Sequence, residues 1–259
     1  MADARNELQT LLRALNLPAM ADAAETTALR AAKERLTHEA YLLELGRIEL
    51  AAKAARRTER LRKQSGLLPG KTLRTLNLNC FDGATRMQME RLQSGDFIKD
   101  AINVIAVGRP GAGKSHFACA LGHALIELGY PVLFAPTAAL VQRLLAAKRD
   151  LRLPQELAKL DRFECLILDD IGYVQHDRDE MEVLFTLLAE RYERKSMVIT
   201  TNLVFSEWDR IFKDPMTTMA AIDRVVHHSV VLDLMGVESY RASAAKRTKS
   251  ATAKTAVAA

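Results

Sequence analysis

From residue 97 onward the chain alternates short runs that are apolar throughout with longer stretches whose apolar positions recur at helical spacing. The short runs predict strands at Asn103 to Val107, Val132 to Ala135, Cys165 to Leu168, Met197 to Thr200 and Ser229 to Leu232. The longer stretches predict helices over 114–128, 137–149, 154–160, 178–194 and 216–225. A strand with no polar face has no side to turn to water, so the pattern implies an α/β fold with a parallel sheet flanked by helices.

The region before it has another character. Residues 3–64 hold no proline except Pro18 and are rich in Ala, Leu, Glu and Arg, all strong helix formers. Leu8, Leu11, Leu12 and Leu15 predict a short amphipathic helix that exits at Asn16-Leu17-Pro18. A longer run from Thr26 to Lys63 places Leu29, Leu36, Leu43 and Leu50 seven residues apart, a stripe expected to pack inside a small helical bundle. Gln64-Ser65-Gly66-Leu67-Leu68-Pro69-Gly70-Lys71 then breaks the helical pattern and marks a boundary. Within it Gly66 and Gly70 are four apart where a phosphate-binding loop needs five, and no apolar strand precedes them. These features divide the chain into an N-terminal all-helical domain (1–65), a linker (66–79), an α/β domain (80–241) and a basic tail (242–259) with little to bury.

The formal charge of +5 over 259 residues is unevenly spread. Bases outnumber acids 14 to 9 in residues 1–79 and 5 to 0 in residues 241–259, whereas acids lead 23 to 18 in between. Residues 47–74 carry nine bases against Glu49 and Glu59, a localised field that suits a polyanion such as DNA or RNA. Arg56, Arg57, Arg60, Lys63, Lys71 and Arg74 are the candidate contacts; Arg56, Arg60 and Lys63 share a helical face by their spacing. Cys80, Cys119 and Cys165 lie too far apart for a zinc or disulfide framework, and the last two sit in apolar runs that predict burial. The opening residues lack a basic then apolar leader pattern, and no run of eighteen uncharged apolar residues occurs. The expectation is a soluble, cytoplasmic protein with no membrane partner.

The chemistry is concentrated at the tips of three predicted strands. Gly108-Arg109-Pro110-Gly111-Ala112-Gly113-Lys114-Ser115 fits GxxxxGK[ST] directly after an apolar strand and before an amphipathic helix. Such a loop curls its N–H groups around phosphates, so the set from Gly108 to Ser115, with His116, is expected to bind nucleotide. Lys114 would reach the β and γ phosphates, and the Ser115 hydroxyl would hold Mg2+. Arg109 has two readings, a nucleotide contact or a solvated or intersubunit residue. Cys165 to Leu168 deliver Asp169 and Asp170 at a strand end, where Asp169 is the candidate Mg2+ partner and Asp170 the group that orients, or takes a proton from, the attacking water. Met197 to Thr201 deliver Asn202, a candidate for holding that water, with Thr201 as a weaker choice. His227 and His228 are adjacent, so on a helix they would diverge and make a poor metal pair.

Together with Val107 to Leu125, Leu166 to Gly172, Val198 to Trp208, Ala221 to Leu234 and the ending Glu238-Ser239-Tyr240-Arg241, these segments resemble an IstB-like transposition helper ATPase, a relative of the helicase loader DnaC and the initiator DnaA in the AAA+ class. The resemblance spans nearly the whole chain and implies an AAA+ sheet without a full C-terminal lid. It implies an arginine finger at Arg224 and a nucleotide-sensing or intersubunit role at Arg241. It further implies an ATPase using ATP and Mg2+, assembled as a homo-oligomer with its ATP sites between subunits. Such an oligomer would bind and deform double-stranded DNA for a partner transposase. A DnaC-like helicase loader, docking on a helicase and preferring single strands, is the alternative. A small-molecule kinase fits less well, because no acceptor-binding lid is apparent, and a protein that keeps ATP only for assembly is a further reading.

Overall fold

The structure, a computed structural model, describes residues 2–173, 178–208, 211 and 215–239. The chain divides into two compact units, Met1–Arg60 and Leu61–Ala259.

In the first unit, α1 (Ala2–Ala14) ends at Asn16 in the left-handed region, and Pro18 opens α2 (Pro18–Glu34), where its missing N–H is no loss. Arg5 pairs with Glu25 and Arg13 with Asp22, joining the two helices. The single run expected from Thr26 to Lys63 is two helices. Arg35 adopts φ +54°, and the Leu36 N–H turns back to Ala31 O. The Thr37 hydroxyl then accepts the Ala40 N–H and starts α3 (His38–Gln64). The seven-residue leucine stripe does not form the core: Leu29, Leu43 and Leu50 are 66, 56 and 70% exposed. Ala21, Ala24, Ala31, Leu12 and Leu45 are buried instead, because small side chains let helices approach closely. Glu49 is buried too; it accepts the Met20 N–H at 2.9 Å in the first turn of α2 and pairs with Arg56 at 2.8 Å. Burial opposes ionisation of Glu49, but the Met20 N–H and the Arg56 guanidinium outweigh it, and its pKa falls below the usual carboxylate value.

The second unit is built on a five-stranded sheet, all parallel, in the order β2-β3-β4-β1-β5. The strands are β1 (Asn103–Val107), β2 (Val132–Pro136), β3 (Cys165–Asp169), β4 (Ser196–Thr201) and β5 (Ser229–Asp233). Each begins within a residue of its expected position, because an unbroken apolar run has a single stable place, the covered middle of a parallel sheet. The central strands β1, β3 and β4 are buried over almost their whole length, whereas the edge strands β2 and β5 keep partly exposed positions. Around the sheet lie α6 (Lys114–Glu127), α7 (Thr137–Arg149), α8 (Leu153–Leu160), α9 (Arg178–Arg191) and α10 (Pro215–Val226). Leading into β1 are α4 (Gly83–Leu92), started by Asp82 accepting the Thr85 N–H, and the single turn α5 (Asp96–Lys99).

The segment expected as a linker at 66–79 belongs to this second unit. Ser65 O accepts the Phe134 N–H at 2.7 Å, and Leu67, Leu76 and Phe81 are buried in the core beneath α6 and β1. His123 and His116 on α6 hold the same segment, their Nε2 atoms lying 3.2 Å from Leu68 O and from Thr72 O. Cys119 and Cys165 are buried as expected, and burial pushes the Cys165 thiol up to about 12. Among the described residues no helix is long and apolar enough to cross a membrane.

Candidate nucleotide site

The loop between β1 and α6 takes the shape its sequence requires. Gly111 and Gly113 have φ of +86° and +91°, a region L side chains rarely enter. A Cβ at Gly111 would lie 2.2 Å from the Ser239 hydroxyl, and one at Gly113 would lie 3.3 Å from the Phe81 ring. The turn is closed by the Ala112 N–H on Arg109 O, and the Gly108 N–H bonds Thr201 O on β4. Lys114, at the N-terminus of α6, is 7% exposed and donates to Gly108 O at 2.6 Å and Arg109 O at 3.1 Å, which aims its ammonium at the loop. Arg109 and Pro110 are exposed at the loop's crown.

A cavity of about 280 Å³ opens against this loop. Gly111 to His116 form one wall, and Val237 and Glu238 close it from the C-terminal side. The other wall is Lys71, Thr75, Leu76, Asn77, Cys80 and Phe81, a surface that combines two apolar side chains with amide and hydroxyl groups. Apart from Lys71, sequence patterning did not single out this wall for a site, since residues in irregular segments carry no period. Lys71, expected to contact DNA, stands at this cavity. His116 also lines it, with its Nε2 3.0 Å from the Thr75 hydroxyl; burial lowers its pKa.

The acidic pair stands at the end of β3, separated from β1 only by β4. Thr200, on β4, ties the two acids together. Its hydroxyl donates to Asp169 Oδ1 at 2.7 Å and accepts the Asp170 N–H at 2.8 Å. The Thr137 hydroxyl adds a bond to Asp169 O at 2.9 Å. Asp170 has φ +64°, a conformation that costs a non-glycine residue about 1 kcal/mol, and its bond to Thr200 helps hold it there. Sequence reasoning missed Thr200: a threonine inside an apolar strand reads as a β-former. Thr201, by contrast, bonds Leu203 N and O and shapes the turn after β4.

Asn202 follows immediately. Its Oδ1 is buried with no hydrogen-bond partner among the described residues and is approached so closely by Gly172 that a Cβ there would lie 2.8 Å away. A buried amide oxygen without a donor is an acceptor in need of one. Arg224 does not line the cavity of its own chain; its guanidinium stacks on Phe185 at 4.9 Å and donates to Ala220 O at 3.0 Å. Arg241 lies outside the described residues. Arg56, Arg57, Arg60 and Lys63 are exposed on α3, with Arg56 engaged by Glu49, and Arg74 is exposed further on.

The family model described as IstB-like ATP binding protein matches residues 10–250. An insertion-sequence ATP-binding protein of Sinorhizobium fredii (strain NBRC 101917 / NGR234) is 42% identical over 243 residues, 93% of this chain and 81% of that protein. The insertion sequence IS21 ATP-binding protein of Pseudomonas aeruginosa is 36% identical over 236 residues, 91% of this chain and 89% of that one. Among solved structures, AMPPCP-bound DnaA from Aquifex aeolicus superposes with a TM-score of 0.55 at 15% identity, over 66% of this chain and 51% of that one.

Proposed function

The chain belongs to the family of IstB-like ATP binding proteins, and from that premise we propose that it is an Mg2+-dependent ATPase that assembles on duplex DNA, deforms it and presents it to the transposase of the same element. The observation that carries the ATPase reading is the set of strand tips. The phosphate loop on β1, the Thr200-linked acids on β3 and the unpartnered amide oxygen after β4 lie at the same ends of neighbouring parallel strands.

The residues fit the nucleotide and its metal. Gly111 and Gly113 leave the loop clear of the Cβ atoms that would crowd it, and the donors offered to the metal, the Ser115 hydroxyl and the Asp169 carboxylate, are the oxygen ligands Mg2+ takes. When bound, ATP with Mg2+ supplies the phosphoryl group that is transferred to water. Lys114 neutralises phosphate charge, and α6 turns its N-terminus toward it. Asp170 orients the attacking water or takes its proton, while Asn202 Oδ1 gains in that water the donor it lacks. Leu76 and Phe81 offer the base an apolar face. Arg224 and Arg241 act on nucleotide at a neighbouring subunit, so that nucleotide links two chains and ATP binding favours the oligomer.

The exposed bases of α3, Arg57, Arg60 and Lys63 foremost, supply phosphate contacts that position DNA without reading its sequence. Bending a duplex over a few turns costs about 1–6 kcal/mol, which contacts from several subunits offset. The direct test of the site is a nucleotide titration. Lys114→Ala should bind ATP at least about tenfold more weakly and hydrolyse it slowly; binding equal to the parent's would remove the loop from the mechanism.

A further inference from the structure

Away from the nucleotide cavity, Glu193, His227 and His228 bring one ligand atom each to within 4.8 Å of one another. We propose that these three side chains form a binding site for a divalent transition-metal ion of the Zn2+ class. The sequence argued against it, since adjacent histidines on a helix diverge. The structure removes that objection, because the pair sits where the helix stops. The His227 N–H makes a last helical bond to Asp223 O, and His228, the turn residue just before β5, already accepts the Asn103 N–H on its carbonyl at 2.8 Å. At this exit the two rings converge to 4.3 Å between centroids at an interplanar angle of 67°. Glu193, just beyond α9, takes φ +53° and places its carboxylate 3.2 Å from His228 Nε2.

Tetrahedral ligands about 2.0–2.1 Å from an ion stand roughly 3.3 Å apart, so the Glu193–His228 pair already has the required spacing. His227 has to close by at most about 1.5 Å, which rotation of exposed side chains supplies. The Tyr192 hydroxyl, 3.4 Å from His227 Nδ1, restrains that ring. Two imidazoles and one carboxylate suit Zn2+ and its neighbours rather than Mg2+, and three protein ligands leave a position for water or a further donor. An ion here ties the turn between α9 and β4 to the end of α10, one helical turn beyond Arg224.

The test is calorimetric titration of the full-length, tag-free, nucleotide-free chain with Zn2+ in millimolar Mg2+, with Co2+ absorption as a second readout. One ion per chain is expected, bound in the micromolar range or tighter and bringing the visible bands of a four- or five-coordinate Co2+ site. His228→Ala and, independently, Glu193→Gln should weaken binding about tenfold or more. Cys80→Ser, which removes the one exposed thiol among the described residues, should leave binding unchanged. No uptake at about 100 μM Zn2+, uptake unaffected by either ligand variant, or uptake lost with Cys80 would each overturn the assignment.

Discussion

The hydroxyl of Thr200 is the smallest group that joins the two acids at the proposed catalytic end of the sheet. It donates to one carboxylate and accepts the N–H of the next residue, so a single side chain sets both acids. Thr200→Val keeps the volume and the β-branch but removes both bonds, leaving Asp169 without that donor and Asp170 without its brace. We expect kcat to fall about ten- to a hundredfold with little change in ATP affinity, and Thr200→Ser to restore most of it, measured by steady-state phosphate release. Equal loss in the serine variant would mean that packing, not the hydroxyl, matters. The phosphate loop, Asp169, Asp170 and Asn202 were legible because each is a polar tip on an apolar run. Thr200, Leu76 and Phe81 were not: their places at the proposed site arise from strand order and from an irregular segment folding back, neither of which leaves a spacing in the sequence.

At the scale of elements, the same contrast separates the two units. Strands of the sheet were placed almost to the residue, since an all-apolar run admits one environment. In the first unit the short first helix was placed, but the packing of the long second run was misjudged, because leucines are conspicuous and alanines are not, yet alanines fill the tight interface and the leucine stripe lies outside. The break between α2 and α3 rests on one left-handed arginine and one capping threonine, a signal too local to stand out in a helix-forming run. Glu49 gives this unit a pH dependence. Its pKa is depressed in the folded chain, so its contribution is fully present above the ordinary value of 4.5 and is lost as pH falls through the lower folded value. Glu49→Gln should therefore lower the thermal midpoint at neutral pH, and parent and variant should converge in acid, followed by helical circular dichroism. A gap that persisted unchanged below about pH 3 would show that Glu49 acts through shape rather than charge.

For the whole molecule, the layout joins two chemistries along one chain. The basic stretch of residues 47–74 suits a phosphate backbone, and a P-loop sheet suits nucleotide, with Arg224 away from its own cavity. Such a layout makes sense if nucleotide is completed by a neighbouring subunit and DNA by many α3 helices at once. In that arrangement ATP and duplex DNA would act together as the assembly signal. Light scattering of the purified protein, with duplex DNA present and a non-hydrolysable ATP analogue added or withheld, tests it most directly. A large discrete protein–DNA assembly that needs both duplex and nucleotide is expected. Particles that ignore the nucleotide, or that form on single strands and not on duplex, would contradict it.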